Sequence, residues 1–298
     1  MRARYAVWVA PVLVLALLAA AAGQAGRRMV PAGERAVSIN VVATREGESS
    51  EAITARNIAL YDSGIEQKIQ SFSPDPSPAR IVLLVDNSLS IRADVQKLAA
   101  SLREFAYEIY EGDQLMIVAY DEKPEIIIDW TDDAKKIEAS LKTLRKRGEP
   151  HLFDALMAVS RDALQPLKGS AHKRVIVLIG DGLDRGSKTR FAQALSELQA
   201  EDIAVYALQI PDRTGGAFRR DQPKAPEVIR QLTEGTGGRA FPITQPREAA
   251  KQICDELRKN RYILSYTPYN VAYGDERRLL VVADSGINVR FKAMHPAP

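Results

Sequence analysis

One cysteine and three histidines in 298 residues leave little for soft-metal or redox chemistry. Cys254 alone cannot close an intrachain disulfide, and no CxxC pair exists. It falls in an apolar stripe with Ala250, Ile253 and Leu257, where a thiol serves as a small buried hydrophobe. His151, His172 and His295 stand far apart without HExxH spacing, which excludes the usual zinc-hydrolase motif. An excess of one charge is also lacking: 41 Lys and Arg face 38 Asp and Glu, a formal charge of +3. Without Arg2 and Arg4 that value falls to +1, too little to draw the whole chain to DNA or anionic lipid. Basic clusters at 145–147, 219–220 and 277–278 are short and scattered, as on solvated loop or helix faces. No GxxxxGK[ST], GxSxG or GxGxxG occurs, and the glycines at 215–216 and 235–238 read as turns. What remains, 46% apolar and 27% charged residues, is the mix of a folded globular protein.

The first residues have an order of their own. Arg2 and Arg4 precede an apolar run over 5–22, followed by small residues. Positive, then apolar, then small is the pattern of a secretory signal, with cleavage expected after Ala22 or Ala25. The run is long enough that residues 1–25 are also a candidate membrane anchor. In either case the folded part is expected to be exported to the periplasm, the cell surface or the medium.

Three regions follow. Residues 35–73 hold short β segments at 36–43, 58–62 and 67–72 between turn signals. Residues 74–79 are proline-rich, which excludes helix and central strand and reads as a linker. Helix and strand patterns then alternate over 80–260. The runs 81–85 and 175–179 are continuously apolar, the mark of strands covered on both faces. Between them Val95, Leu98, Leu102, Phe105 and Ile109 recur at helical spacing. Strands separated by helices of this length need crossovers. The spacing therefore predicts an α/β fold with a doubly wound, mainly parallel sheet. Residues 261–295 return to strand signals. Neither flank is long enough to bury a core alone, so the two are predicted to form one small β-sandwich of about six strands.

In such a sheet, ligands collect at the carboxyl ends of the strands where strand order reverses. After 81–85 comes Asp86-Asn87-Ser88-Leu89-Ser90, and after 175–179 comes Gly180-Asp181-Gly182. The residues Asp86, Ser88, Ser90 and Asp181 offer only oxygen, which suits a hard cation such as Mg²⁺, Mn²⁺ or Ca²⁺. Mg²⁺ takes oxygens at about 2.0–2.1 Å and tends to keep waters. Neutral hydroxyl ligands leave the ion electrophilic, able to accept a carboxylate from another molecule. Taken singly, each residue also has a plainer role: Asp86 and Ser88 as helix caps, Asp181-Gly182 as a turn.

The sequence Asp86-x-Ser88-x-Ser90 after one buried strand, with Asp181-Gly182 after another, resembles the metal-ion-dependent adhesion site (MIDAS) of von Willebrand factor type A domains. The segment 147–156, Arg-Gly-Glu-Pro-His-Leu-Phe-Asp-Ala-Leu, is similar to the third site loop of that family, usually G-G-T-x-L-Y-D-A-L. Residues 236–239, 258–268 and the strands before the linker extend the likeness over most of the chain, as in a bacterial exported branch with β segments on both sides. The resemblance implies a Rossmann-like A domain and a non-catalytic adhesion or interaction role. It also implies a divalent cation that receives an acidic side chain from a protein partner. One position departs from the pattern: the family threonine that ligates the metal falls at Pro150; Glu149 and His151 stand beside it, and Glu149 is preferred because an oxygen donor suits Mg²⁺. The expected metal set is thus Asp86, Ser88, Ser90 and Asp181, with Glu149 in place of the threonine. Asp154 and Asp184 are expected to cap or support.

Two other readings compete. A Mg²⁺-dependent phosphohydrolase of the haloacid-dehalogenase type wants an Asp two residues beyond its nucleophile, and Ser88 stands there. A metal-independent protein- or peptide-binding scaffold with a degenerate site would use an aromatic patch of Tyr262, Tyr266, Tyr269 and Tyr273. Sandwich packing is the alternative role for those tyrosines.

Overall fold

Runs of β-branched and aliphatic residues, bounded by turn residues, set the strands of this chain. The computed structural model describes residues 36–47, 51–211, 222–272 and 276–295. The expected signal or anchor at 1–25, the turn glycines at 215–216, the 219–220 basic pair and Tyr273 lie outside the described residues. No described helix is long and apolar enough to cross a membrane.

Four strands come first: β1 (Val37–Arg45), β2 (Ile58–Asp62), β3 (Ile65–Gln67) and β4 (Ile69–Pro74). The alternating region opens with β5 (Ala79–Asp86), α1 (Val95–Glu108), β6 (Gln114–Tyr120), β7 (Pro124–Thr131), α2 (Ala134–Ser140) and α3 (Leu152–Ala158). Helix α3 runs on through a π turn, Val159–Leu164. Then come β8 (Lys173–Gly180), α4 (Phe191–Ala200), β9 (Ala204–Gln209), α5 (Ala225–Thr236), β10 (Ala240–Pro242) and α6 (Pro246–Lys259). The chain returns to β structure in β11 (Arg261–Tyr266), β12 (Arg277–Ala283), β13 (Ile287–Phe291) and β14 (Met294–His295).

The central sheet is six-stranded in the order β10-β9-β8-β5-β6-β7. Every pairing is parallel except β6 with β7. This is the doubly wound α/β fold expected from the alternation of patterns. Side chains of β5 alternate between two cores. Ile81, Leu83 and Val85 pack with α1 and α6, while Val82 and Leu84 pack with α3, α4 and α5. Both faces are covered, which is why the run reads as continuously apolar. Cys254 is buried in the first core, and burial pushes its thiol pKa up, so it stays an inert hydrophobe. From β5 the chain moves to β6 on one side and later to β8 on the other, which makes the β5–β8 crevice the topological switch point.

The flanking strands form two further sheets, β13-β1-β11-β4 and β14-β12-β2-β3, packed around Ile39, Val41, Leu60, Leu264, Tyr266 and Val281. Each sheet mixes strands from both ends of the chain, so neither flank is complete without the other. The described strands number more than the six expected. The single segment foreseen at 67–72 is two strands split at Lys68 that serve opposite sheets, and the short β14 was not foreseen. Pro74 ends β4 as part of an edge strand, a place that tolerates a missing N–H. Residues 75–78 are a tight strap and not a free spacer. Asp75 is buried, its N–H donates to the Arg261 carbonyl at 2.8 Å, and its carboxylate accepts from Ser77 N–H at 3.0 Å.

A buried charge closes the sandwich. Asp62 from the first flank accepts from the Arg277 guanidinium and the Tyr266 hydroxyl of the second, each at 2.8 Å. Asp62→Ala strands a nearly buried guanidinium, and a broken buried pair typically costs about 3–5 kcal/mol. The expected result is a lower urea midpoint with little change in slope.

Candidate metal site at the sheet edge

Each site loop leaves the carboxyl end of a parallel strand, so strand register decides which residues meet. Val85 pairs with Ile179 and Asp86 with Tyr120, which carries Asp86 to the end of β5 beside Gly180. A Cβ at Gly180 would lie 3.2 Å from both the Asp86 Cβ and the Tyr120 hydroxyl, a tight approach that a side chain here would push apart by a few tenths of an ångström. Asp86 is 0% exposed. Its Oδ1 accepts the Ser88 N–H at 2.9 Å, the turn that swings both hydroxyls to the rim. Ser88 Oγ and Ser90 Oγ then stand 3.0 Å apart. On the neighbouring loop, Asp181 Oδ1 accepts the Leu183 N–H at 2.9 Å. The backbone there reverses at Gly182 with φ +84°, and a Cβ would collide with the Ala225 carbonyl and press on Ile229. Gly182→Ala is therefore expected to displace the start of α5. Overpacking of this kind costs about 1–3 kcal/mol, and thermal unfolding checks it.

The remaining loops lock onto these two. Arg147 N–H donates to the Asn87 carbonyl at 2.9 Å, Leu89 N–H to the Gly148 carbonyl at 3.0 Å, and Arg185 N–H to the Pro150 carbonyl at 2.8 Å. Pro150 is buried and offers only that carbonyl. Glu149 stands half exposed and accepts from Arg185 Nη1 at 3.2 Å. The proposed replacement for the threonine is thus engaged by a guanidinium. Asp154 and Asp184 accept backbone N–H groups of neighbouring segments. Asp154 accepts the Lys188 and Thr189 N–H groups at 2.9 Å, and Asp184 accepts the Phe153 N–H at 3.2 Å. Burial raises the Asp184 pKa; at Asp154 burial acts the same way but the donated hydrogen bonds outweigh it, and its pKa is lowered.

Asp86 is electrostatically strained. Burial, then repulsion from Asp181, pushes its carboxyl up to about 7 against hydrogen bonds from Ser88. Its Oδ2 is buried with no hydrogen-bond partner. The Tyr120 hydroxyl lies in the same space and makes no well-formed hydrogen bond, although its dipole draws the Asp86 pKa down somewhat. Burial, Asp86 and Asp181 together push the Tyr120 phenol well above its ordinary range. Sequence reasoning missed Tyr120, one of three residues here, with Asp86 and Asn87, whose buried side-chain oxygen lacks a hydrogen-bond partner among the described residues. A tyrosine ending an apolar strand carries no motif, and only strand register reveals it. The Arg147 link to Asp121, Nε to Oδ2 at 2.6 Å, was missed for the same reason.

Four oxygen-bearing side chains of the expected set, Asp86, Ser88, Ser90 and Asp181, therefore share one rim at the switch point. A buried carboxylate oxygen without a donor, next to a second carboxylate, is a site that a dication would satisfy. The family model for the von Willebrand factor type A domain matches residues 81–183, a span that opens in β5 and closes just after Asp181. The chain contains a von Willebrand factor type A domain. One solved structure agrees at the level of fold. A von Willebrand factor type A protein from Catenulispora acidiphila matches with a TM-score of 0.50 at 11% identity, over 91% of this chain and 76% of that one. An aerotolerance-related membrane protein from Bacteroides fragilis matches with a TM-score of 0.47 at 20% identity, over 61% of this chain and 99% of that one. The BatB protein of Bacteroides thetaiotaomicron matches with a TM-score of 0.46 at 15% identity, over 61% and 98%. A search of curated proteins finds no significant relative. The A domain here joins the flanking sandwich through α6. Glu256 of that helix is buried and pairs with Arg290 of β13, Oε2 to Nη2 at 2.5 Å, and with Arg239.

Proposed function

We propose that this protein is an exported, non-catalytic binding module that docks a protein partner through a divalent cation at Asp86, Ser88, Ser90 and Asp181. The observation that carries this reading is the orphaned Asp86 Oδ2, buried beside Asp181 at the rim where two hydroxyls stand 3.0 Å apart. All donors are oxygen, which fits Mg²⁺ and, with relaxed geometry, Mn²⁺ or Ca²⁺. When bound, the ion supplies a Lewis-acidic position that takes a carboxylate from the partner. Asp86 and Asp181 hold the charge, Ser88 and Ser90 orient toward the ion without adding charge, and the tight 147–151 loop keeps the rim in place. Glu149 contributes only if Arg185 releases it. Export rests on the positive, apolar and small order of residues 1–25, which leaves secretion, periplasmic location and an N-terminal anchor open to fractionation.

A metal-independent scaffold is the second reading, and one observation favours it: Pro150 supplies no side-chain oxygen and Glu149 is already paired. The aromatic patch gives it less support. Tyr266 is fully buried in the sandwich and Tyr262 stacks on Phe72 with ring centroids 4.6 Å apart, whereas Tyr269 is 63% exposed. The two readings separate in one experiment. Isothermal titration of the full chain with Mg²⁺ or Mn²⁺ is expected to give a saturable heat that Asp181→Ala removes. No heat from the natural chain sinks the first reading.

A further inference from the structure

Cations frame the site in places where the fold itself favours anions. Helices α1, α4 and α5 each follow a parallel strand that ends at the site edge, so their N-termini and partial positive charges face that edge. Asp94 caps α1 in the usual way, accepting the Lys97 N–H at 2.7 Å. The N-cap positions of α4 and α5 are instead Arg190 and Lys224, and neither side chain caps its helix. The first turn of α4 contains no acid either. A basic residue there opposes the helix dipole and leaves N–H groups uncapped. Such local conflicts within an otherwise consistent fold mark functional surfaces.

The same edge also carries acids, but Asp121, Glu125 and Glu149 are taken by two of its arginines. Arg147 is committed to Asp121 and Glu125, and Arg185 to Glu149. Arg92, Arg145, Lys188 and Arg190 are exposed and pair with no described carboxylate. Arg145 is tied to the first site loop through its carbonyl, which accepts from Asn87 Nδ2 at 2.8 Å. Lys188 stands on the loop after Asp181, where its N–H donates to Asp154. In the middle of the first loop, Leu89 is 64% exposed. Salt keeps the field of these cations short-ranged, on the order of the 10 Å screening length at 0.1 M.

We propose that this edge binds an acidic segment of a partner protein, with several carboxylates set against Arg92, Arg145, Lys188 and Arg190. The inference rests on the edge being the partner-binding surface and adds the composition of what it binds. A peptide fits better than a nucleic acid because apolar side chains can cover Leu89. One carboxylate of the segment goes to the cation, and the others complete the charges that the helix N-termini and arginines leave open.

The test uses the full chain and two labelled twelve-residue peptides, one with six aspartates spaced by glycine and leucine, one with a single aspartate. Fluorescence anisotropy with Mg²⁺ at low salt is expected to show the six-aspartate peptide binding about tenfold tighter or more, with the gap narrowing at 0.3 M salt. The triple reversal R145E/K188E/R190E should cancel that gap while changing the single-aspartate affinity less than about threefold. Asp86→Ala separates this idea from the cation reading. If it weakens both peptides equally, both ideas stand; if it changes neither while the gap persists, the cation reading fails alone. Equal affinities for the two peptides, no binding of the six-aspartate peptide, or a triple reversal without effect overturns the proposal. A thymidine dodecamer that binds more tightly than the acidic peptide overturns the assignment to a protein partner. Arg190→Ser supplies an independent readout: capping is restored, and Tm should rise by about 2–4 °C. A lower Tm contradicts the claim that this cation is misplaced for folding.

Discussion

Alanine at Asp86 is expected to abolish the proposed divalent-ion binding, read as the loss of the Mg²⁺ or Mn²⁺ heat in titration of the full chain. Asp86 is the one carboxylate of the edge with a buried oxygen that makes no well-formed hydrogen bond to a described residue. Removing it leaves Asp181 and two neutral hydroxyls, too little charge to compete with water for a dication. Changes behind a metal ligand typically cost about 10–100-fold in affinity, so loss of the ligand itself is expected to exceed about 100-fold. Ser90→Ala, which removes one neutral donor, should cost less. An Asp86→Ala protein that binds Mg²⁺ as the natural chain does moves the site elsewhere.

Asparagine at the same position should make the metal-free protein more stable at alkaline pH while still abolishing metal binding. The folded, metal-free chain holds the Asp86 carboxyl at about 7, above its ordinary 3.8. The folded state therefore binds this proton more tightly than the unfolded state. The stability it contributes is fully present below about pH 4 and is lost as pH rises through about 7. A shift of this size corresponds to roughly 4 kcal/mol at pH 8 at most. Asparagine keeps the acceptor for Ser88 N–H and removes the charge, so in EDTA at pH 8 Asp86→Asn should unfold at higher urea than the natural chain. At pH 4 the difference should vanish. Metal binding by the natural chain should strengthen from pH 6 to pH 8, because the ion competes with the same proton. A natural chain whose EDTA-state stability is flat between pH 5 and pH 8 contradicts the strained carboxylate.

The large features were legible in the sequence because they are set by burial. The 81–85 and 175–179 runs could only be strands covered on both faces, and α6 announced itself through Ala250, Ile253, Cys254 and Leu257. The candidate oxygens were legible because they directly follow those strands. Details that depend on register were not. Tyr120 enters the site through its pairing with Asp86, and Arg185 reaches Glu149 across two loops. The split of 67–72 at Lys68 depends on which sheet each half joins, a tertiary choice that alternation of residues does not encode. That Arg92, Arg145, Lys188 and Arg190 lack a carboxylate partner was hidden as well, because a whole-chain charge sum does not say which charges pair.

Crystals of the full chain grown in Mn²⁺ and measured at the manganese absorption edge test the central claim most directly. The account predicts one strong anomalous peak in contact with Asp86, Ser88, Ser90 and Asp181, directly or through water. A peak that avoids Asp86, or none in crystals whose Asp86 side chain is well ordered, contradicts it.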